Sequence, residues 1–125
     1  MTIRRYTVPV TTAADGTATA YSPYLSGYIC QIVYQKTDFA NGVDFTITAE
    51  ATGETIWTEA DVNAGVAKAP RIATTSTAGV AALYAAAGTA VNDRIALGRD
   101  RVKIEIAQGG ANKTGKFVIV SDDGN

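Results

Sequence analysis

Apolar and polar residues alternate with a period of two along most of this chain, the spacing of β-strands with one buried and one wet face. The alternation is cleanest from Val43 to Glu50, where Val43, Phe45, Ile47 and Ala49 share one side and Asp44, Thr46, Thr48 and Glu50 the other. It recurs from Arg101 to Ala107, with Val102, Ile104 and Ile106 inward, and from Arg5 to Thr11, with Tyr6, Val8 and Val10 on one face. Tyr28 to Lys36 is apolar on both sides, with Tyr28, Cys30, Ile32 and Tyr34 on one and Ile29 and Val33 on the other, which predicts a central strand. Shorter strands are predicted at Thr17 to Tyr21, Glu54 to Thr58, Arg94 to Leu97 and Lys116 to Ser121. In Glu54 to Thr58, Ile56 is expected to point in and Trp57 to the opposite side.

Turn residues punctuate these runs. Asp15-Gly16 suits the positive φ angles of a tight turn and predicts that the first two strands form a hairpin. Asn41-Gly42 and Thr52-Gly53 mark further turns, and Gly109 to Gly115 predicts a glycine-rich hairpin loop before the last strand. From Glu59 to Gly88 the alternation fades; within that stretch Val80 to Ala87 has good helix propensity and is followed by Gly88 as a stop. The expectation is an all-β fold, an antiparallel β-sandwich or small barrel of seven to eight strands with at most one short helix. Its core should contain Tyr6, Val8, Ile32, Phe45, Ile47, Val102, Ile104 and Phe117.

A length of 125 residues fits one domain, spanning 1–125, and 46% hydrophobic with 18% charged residues is far from the composition of disordered chains. The formal charge of −1 offers no overall field toward nucleic acid or an anionic membrane, and Arg4-Arg5 alone neutralises too few phosphates to change that. The longest apolar stretch, Ala78 to Ala87, is about half the length needed to cross a bilayer. No signal peptide is read at the N-terminus, so assembly in a cytoplasm is expected. The single Cys30 lies in an apolar strand and reads as a buried, inert thiol.

The chain has no histidine, which removes the commonest general base near neutral pH and the commonest metal ligand. One cysteine cannot build a thiolate zinc site. The carboxylates Asp15, Asp44, Glu50, Glu54 and Glu105 fall on outward strand positions or in turns, where solvated charge is the default. Gly109 to Gly115 lacks the Gly-Lys-Ser/Thr ending and strand-to-helix setting of a phosphate loop, and Asp122-Asp123-Gly124-Asn125 lacks the bidentate Glu of a calcium loop and reads as a solvated tail. No catalytic, cofactor-binding or metal-ligating residue is expected, and no enzyme. With Tyr6, Tyr28 and Tyr34 on strand faces assigned to the core, the candidates for stacking on sugars are Tyr21, Tyr24 and Trp57, which are better explained by core or protein–protein packing.

Five segments carry a family resemblance: Lys36 to Thr48, Thr52 to Asn63, Ala81 to Ile95, Arg101 to Ala107, and the ending Lys113-Thr114-Gly115-Lys116-Phe117. In these the chain resembles small proteins encoded among the structural genes of tailed double-stranded DNA bacteriophages. The resemblance implies a virion protein, best matched by a capsid decoration (cement) protein outside the major capsid lattice, with a head–tail joining or tail component as the alternative. It implies the major capsid protein or other virion proteins as partners, repeated copies or a homo-oligomer on the particle, and no cofactor, membrane or direct nucleic-acid contact. A carbohydrate-binding module for host recognition is the rival of another class. The long, weakly patterned stretch from Glu59 to Gly88 is the expected contact surface, since long connections in compact domains tend to be functional.

Overall fold

The computed structural model describes residues 2–123. Among them are ten strands and no helix: β1 Ile3–Thr11, β2 Ala18–Tyr21, β3 Leu25–Lys36, β4 Val43–Ala49, β5 Thr55–Val62, β6 Val66–Lys68, β7 Arg71–Ala73, β8 Asn92–Asp100, β9 Val102–Ala107 and β10 Thr114–Asp122. They form two antiparallel sheets. The larger runs β1-β10-β3-β8-β7, with β6 also paired to β3, and the smaller runs β2-β9-β4-β5. The first half of β3 pairs with β8 and its second half with β6, on the edge opposite β10. The all-β expectation holds. The number of strands exceeds seven to eight because β6 and β7 are three residues each, too short to show an alternation. Neither strand order closes on itself, so a small barrel does not describe the pairing.

Inward rows from both sheets meet in one core. The Phe45 ring of β4 stands edge-on to Phe117 of β10 at 5.1 Å and tilted against Tyr34 of β3 at 5.4 Å. Val8, Ile32, Phe45, Ile47, Val102, Ile104 and Phe117 are buried as expected, and Tyr6 is half-buried at the margin. Each such side chain contributes roughly 1.5–3 kcal/mol by leaving water.

Two bulges overturn two face assignments. On β3, Gln31 lies opposite Val120 and Ile29 opposite Ser121, so Cys30 is an extra residue and the alternation changes phase there. Ile29 is therefore buried and Tyr28 is 40% exposed, the reverse of what strict alternation predicts. On β5, Trp57 pairs with Ile47 and Thr55 with Thr48, which makes Ile56 the extra residue and turns both Ile56 and Trp57 inward. Trp57 packs edge-on against Phe45 at 4.8 Å, so it is a core residue and not an exposed aromatic.

The Thr52-Gly53 turn joins β4 and β5 as a hairpin, with Gly53 at φ 79° donating its N–H to Ala49 O at 2.8 Å. The other expected hairpins are crossovers. β1 pairs with β10 and β2 with β9, so the Asp15-Gly16 turn carries the chain from the larger sheet to the smaller. Gly109 to Gly115 returns it from β9 to β10, again between sheets. These loops are bonded together at one end: Thr12 N–H donates to Lys113 O (2.8 Å), Gly109 N–H to Gly16 O (2.9 Å) and Ala40 N–H to Gly109 O (3.0 Å). The glycines follow from this proximity, since a Cβ at Gly115 would overlap the Phe39 ring and one at Gly109 would overlap Thr12.

Candidate interaction surface

The 21 residues from Ile72 to Asn92 contain no Asp, Glu, Lys or Arg. They form an arm between β7 and β8. At its root Arg71 pairs with Arg94, Ile72 with Asp93 and Ala73 with Asn92. Beyond the ladder the segment bonds to itself: Thr74 N–H and Oγ1–H both donate to Val91 O at 2.8 Å, Ala82 N–H to Thr74 O at 2.9 Å and Val91 N–H to Ala82 O at 3.0 Å. A turn through Ser76 and Gly79 (φ 83°) and another through Ala85 and Gly88 close its two tips. The expected helix over Val80 to Ala87 is absent; the stretch makes isolated bridges, Thr75 to Ala81 and Leu83 to Ala90. Helix propensity yields here to backbone hydrogen bonds that an extended pairing satisfies equally well.

No residue from Arg71 to Asn92 is buried. Val80 is 67% and Tyr84 76% exposed, with Ile72 and Leu83 also exposed. The unburied stretch is shifted from the expected Glu59 to Gly88: Glu59 to Val62 continue β5 and Val66 to Lys68 are β6, both within the sheets.

Charged groups fix the root. The Arg94 guanidinium lies 4.6 Å from the Tyr28 ring centre, donates to Asp122 Oδ2 at 3.0 Å and comes within 3.9 Å of Cys30 Sγ. Its pKa is raised, chiefly by the hydrogen bond to Asp122. Arg71 donates to Pro70 O at 2.8 Å and to Cys30 O at 3.4 Å. Cys30 is half-buried here, not sealed in the core. Asp122 is buried and Asp123 pairs with Arg4 at 2.6 Å, which corrects the solvated-tail reading; Gly124 and Asn125 lie outside the described residues.

A second exposed cluster joins the sheets elsewhere. Arg101 makes two hydrogen bonds to Glu50, at 2.7 and 2.8 Å, and its guanidinium lies 4.0 Å from the Tyr21 ring centre and 5.2 Å from that of Tyr24. The hydrogen bond from Arg101 holds the Glu50 carboxyl below its usual range. Tyr24 is 60% exposed. Alternation could not place this cluster, because Tyr24 and Arg101 lie between strands.

The glycine-rich loop offers no phosphate cradle: Gly109 N–H goes to Gly16 O, Asn112 N–H to Ala13 O, Lys113 N–H to Thr12 Oγ1 and Thr114 N–H to Asp38 Oδ1. Those bonds from Thr114 hold the Asp38 carboxyl below its usual range. Among the described residues no group of three or more His, Cys, Asp or Glu is placed to hold a metal ion, and no helix is long and apolar enough to cross a membrane. Compared with protein-family models, with curated proteins and with solved structures, the chain finds no match.

Proposed function

We propose that this chain is a non-enzymatic structural protein of a phage virion, a capsid decoration protein whose two sheets stack as a β-sandwich and whose arm grips the assembled head. The observation that carries the reading is the arm: 21 uncharged residues, bonded to themselves, that leave Val80, Leu83 and Tyr84 in water. Apolar side chains gathered on an ordered projection gain free energy only when a partner covers them. The resemblance to phage structural proteins supplies the kind of partner, a shell of repeated subunits in a virion assembled in the host cytoplasm.

A protein that binds the closed lattice and not free subunits stabilises the lattice by mass action. Contacts bridging neighbouring subunits add through effective concentration even where each is weak. The test compares particles with and without this protein, measuring the temperature at which packaged DNA becomes accessible to an intercalating dye. A higher release temperature in its presence is expected. Equal temperatures would move the reading to a head–tail joining or tail component.

The exposed rings of Tyr21 and Tyr24 keep a sugar-binding module as the second reading. Against it, Arg101 already lies over both rings, occupying faces on which a sugar would stack. Copy number separates the two, hundreds per particle for decoration and a few for an adhesion module.

A further inference from the structure

We propose that copies of this chain associate head to tail, the outer face of the larger sheet of one copy resting on the outer face of the smaller sheet of the next. The near-zero net charge conceals a division between the sheets. The strands of the larger sheet hold eight basic residues against three acidic ones, whereas those of the smaller hold four acidic residues, Asp44, Glu59, Asp61 and Glu105, against Lys103 alone. The larger sheet is thus positive by five charges and the smaller negative by three.

Strand register places part of this charge on the outer faces. Arg5 and Lys116 alternate with the buried Val8 row and Phe117, and Arg71 lies opposite Arg94, which alternates with buried Ile95. Arg5 and Lys116 take part in no ion pair among the described residues. Beside Arg5 lies an open hollow of about 380 Å³, lined also by Thr7 and Gln35, with Val33, Val118 and Val120 on its floor. On the smaller sheet the matching hollow, about 320 Å³, is rimmed by Thr17, Thr19, Asp44, Thr46 and Glu105.

The geometry excludes the simpler contacts. Two-fold pairing through the larger sheet would set Arg5, Lys116 and Arg71 against their own copies, and like charges brought together cost free energy. Edge-to-edge pairing is blocked on most sides: β1 contains Pro9, which has no N–H, β2, β6 and β7 are three or four residues long, and β5 is bulged with Asp61 at φ 56°. Face against opposite face is the arrangement that brings unlike charge together. It is heterologous, so it builds rings or rows of copies, as a lattice-bound protein can use.

Sedimentation of the full chain at low salt and at 0.5 M salt tests this, because screening shortens from tens of ångströms to a few over that range. Concentration-dependent association at low salt that dissolves at high salt is expected. Two charge variants sharpen it. R5E/K116E removes four charges from the larger sheet and leaves it positive by only one. D44N/E105K brings the smaller sheet from negative by three to zero, while the amide that replaces the Asp44 carboxylate keeps an oxygen acceptor for the Asp61 N–H, which Asp44 Oδ1 accepts at 2.9 Å. Each variant, with an unchanged far-ultraviolet spectrum, should be monomeric alone. Mixed in equal amounts they should associate again, since the unaltered larger sheet of one then meets the unaltered smaller sheet of the other. Wild-type chains that stay monomeric at low salt, or single variants that associate as the wild type does, would overturn the proposal.

Discussion

Phe45 and Tyr84 are both large aromatic residues, Phe45 on β4 and Tyr84 at a bend of the arm, yet one is sealed in the core and the other is 76% exposed. Phe45 touches Tyr34, Trp57 and Phe117, residues far apart in sequence that strand pairing brings together. Tyr84 rests on an arm whose order comes from its own backbone hydrogen bonds. The sheets are held by apolar area removed from water, which is non-directional and cooperative. The arm is held by bonds that exchange with water and are worth about 0.5–1.5 kcal/mol each at best. The difference is the ground for proposing a partner on the arm, since nothing inside the chain rewards that arrangement of apolar side chains.

The largest break in this comparison comes from the sheet side. Phe45→Ala should cost about 3–5 kcal/mol, from lost transfer free energy and the cavity left among three aromatic neighbours. Chemical denaturation measures it. A loss under about 1 kcal/mol would mean that the site collapses without cost, which the ring contacts on Phe45 argue against.

That core was largely legible in the sequence, because a period of two survives wherever a strand has one buried face. Val43 to Ala49 and Val102 to Ala107 were readable residue by residue. Legibility failed where one inserted residue changes the phase, at Cys30 and Ile56, since a bulge leaves no mark in composition. It failed again for connections. Asp15-Gly16 does turn, but a turn residue says nothing about which sheet receives the next strand, and that is decided by long-range pairing with β9 and β10. The arm was visible only as weak patterning. The uncharged run was present in the sequence, whereas the mutual bonding of Thr74, Ala82 and Val91 depends on turns that alternation cannot see. The charge division between sheets was hidden in the sum over the chain and emerged only once strands were assigned to sheets.

Within the sheets, a smaller effect of opposite sign sharpens the account. The Tyr34 hydroxyl is buried with no hydrogen-bond partner among the described residues, and burial pushes its pKa up. Removing it as Tyr34→Phe keeps the ring stack and removes a desolvation cost, so a gain of about 1 kcal/mol is expected. The pH dependence has a definite sign. Below the unfolded pKa the phenol is neutral in both states and stability does not depend on its titration; as pH rises above about 10 the unfolded chain ionises more readily than the folded one, so stability falls. The Phe variant should lose that part of the alkaline sensitivity. A destabilised variant would show that the hydroxyl is satisfied by a bound water.

The smallest expected change in stability, and the most informative, lies on the arm. Leu83→Ser with Tyr84→Ser removes exposed surface and breaks no buried contact, so the free protein should unfold within about 0.5 kcal/mol of the wild type. Hydrogen exchange should find the amides of Thr74, Ala82 and Val91 opening far more readily than those of β3 and β10, because no buried side chain opposes the opening. On the particle the order should change: the same arm amides should slow when a partner covers Val80, Leu83 and Tyr84, and the serine variant should lose both that slowing and its hold on the head. The contrast between free and bound protein isolates the arm, since a defect of folding would appear in both states and a defect of docking in one. Equal exchange of the arm in the free protein and on the particle would remove it as the contact surface and transfer that role to the sheet faces.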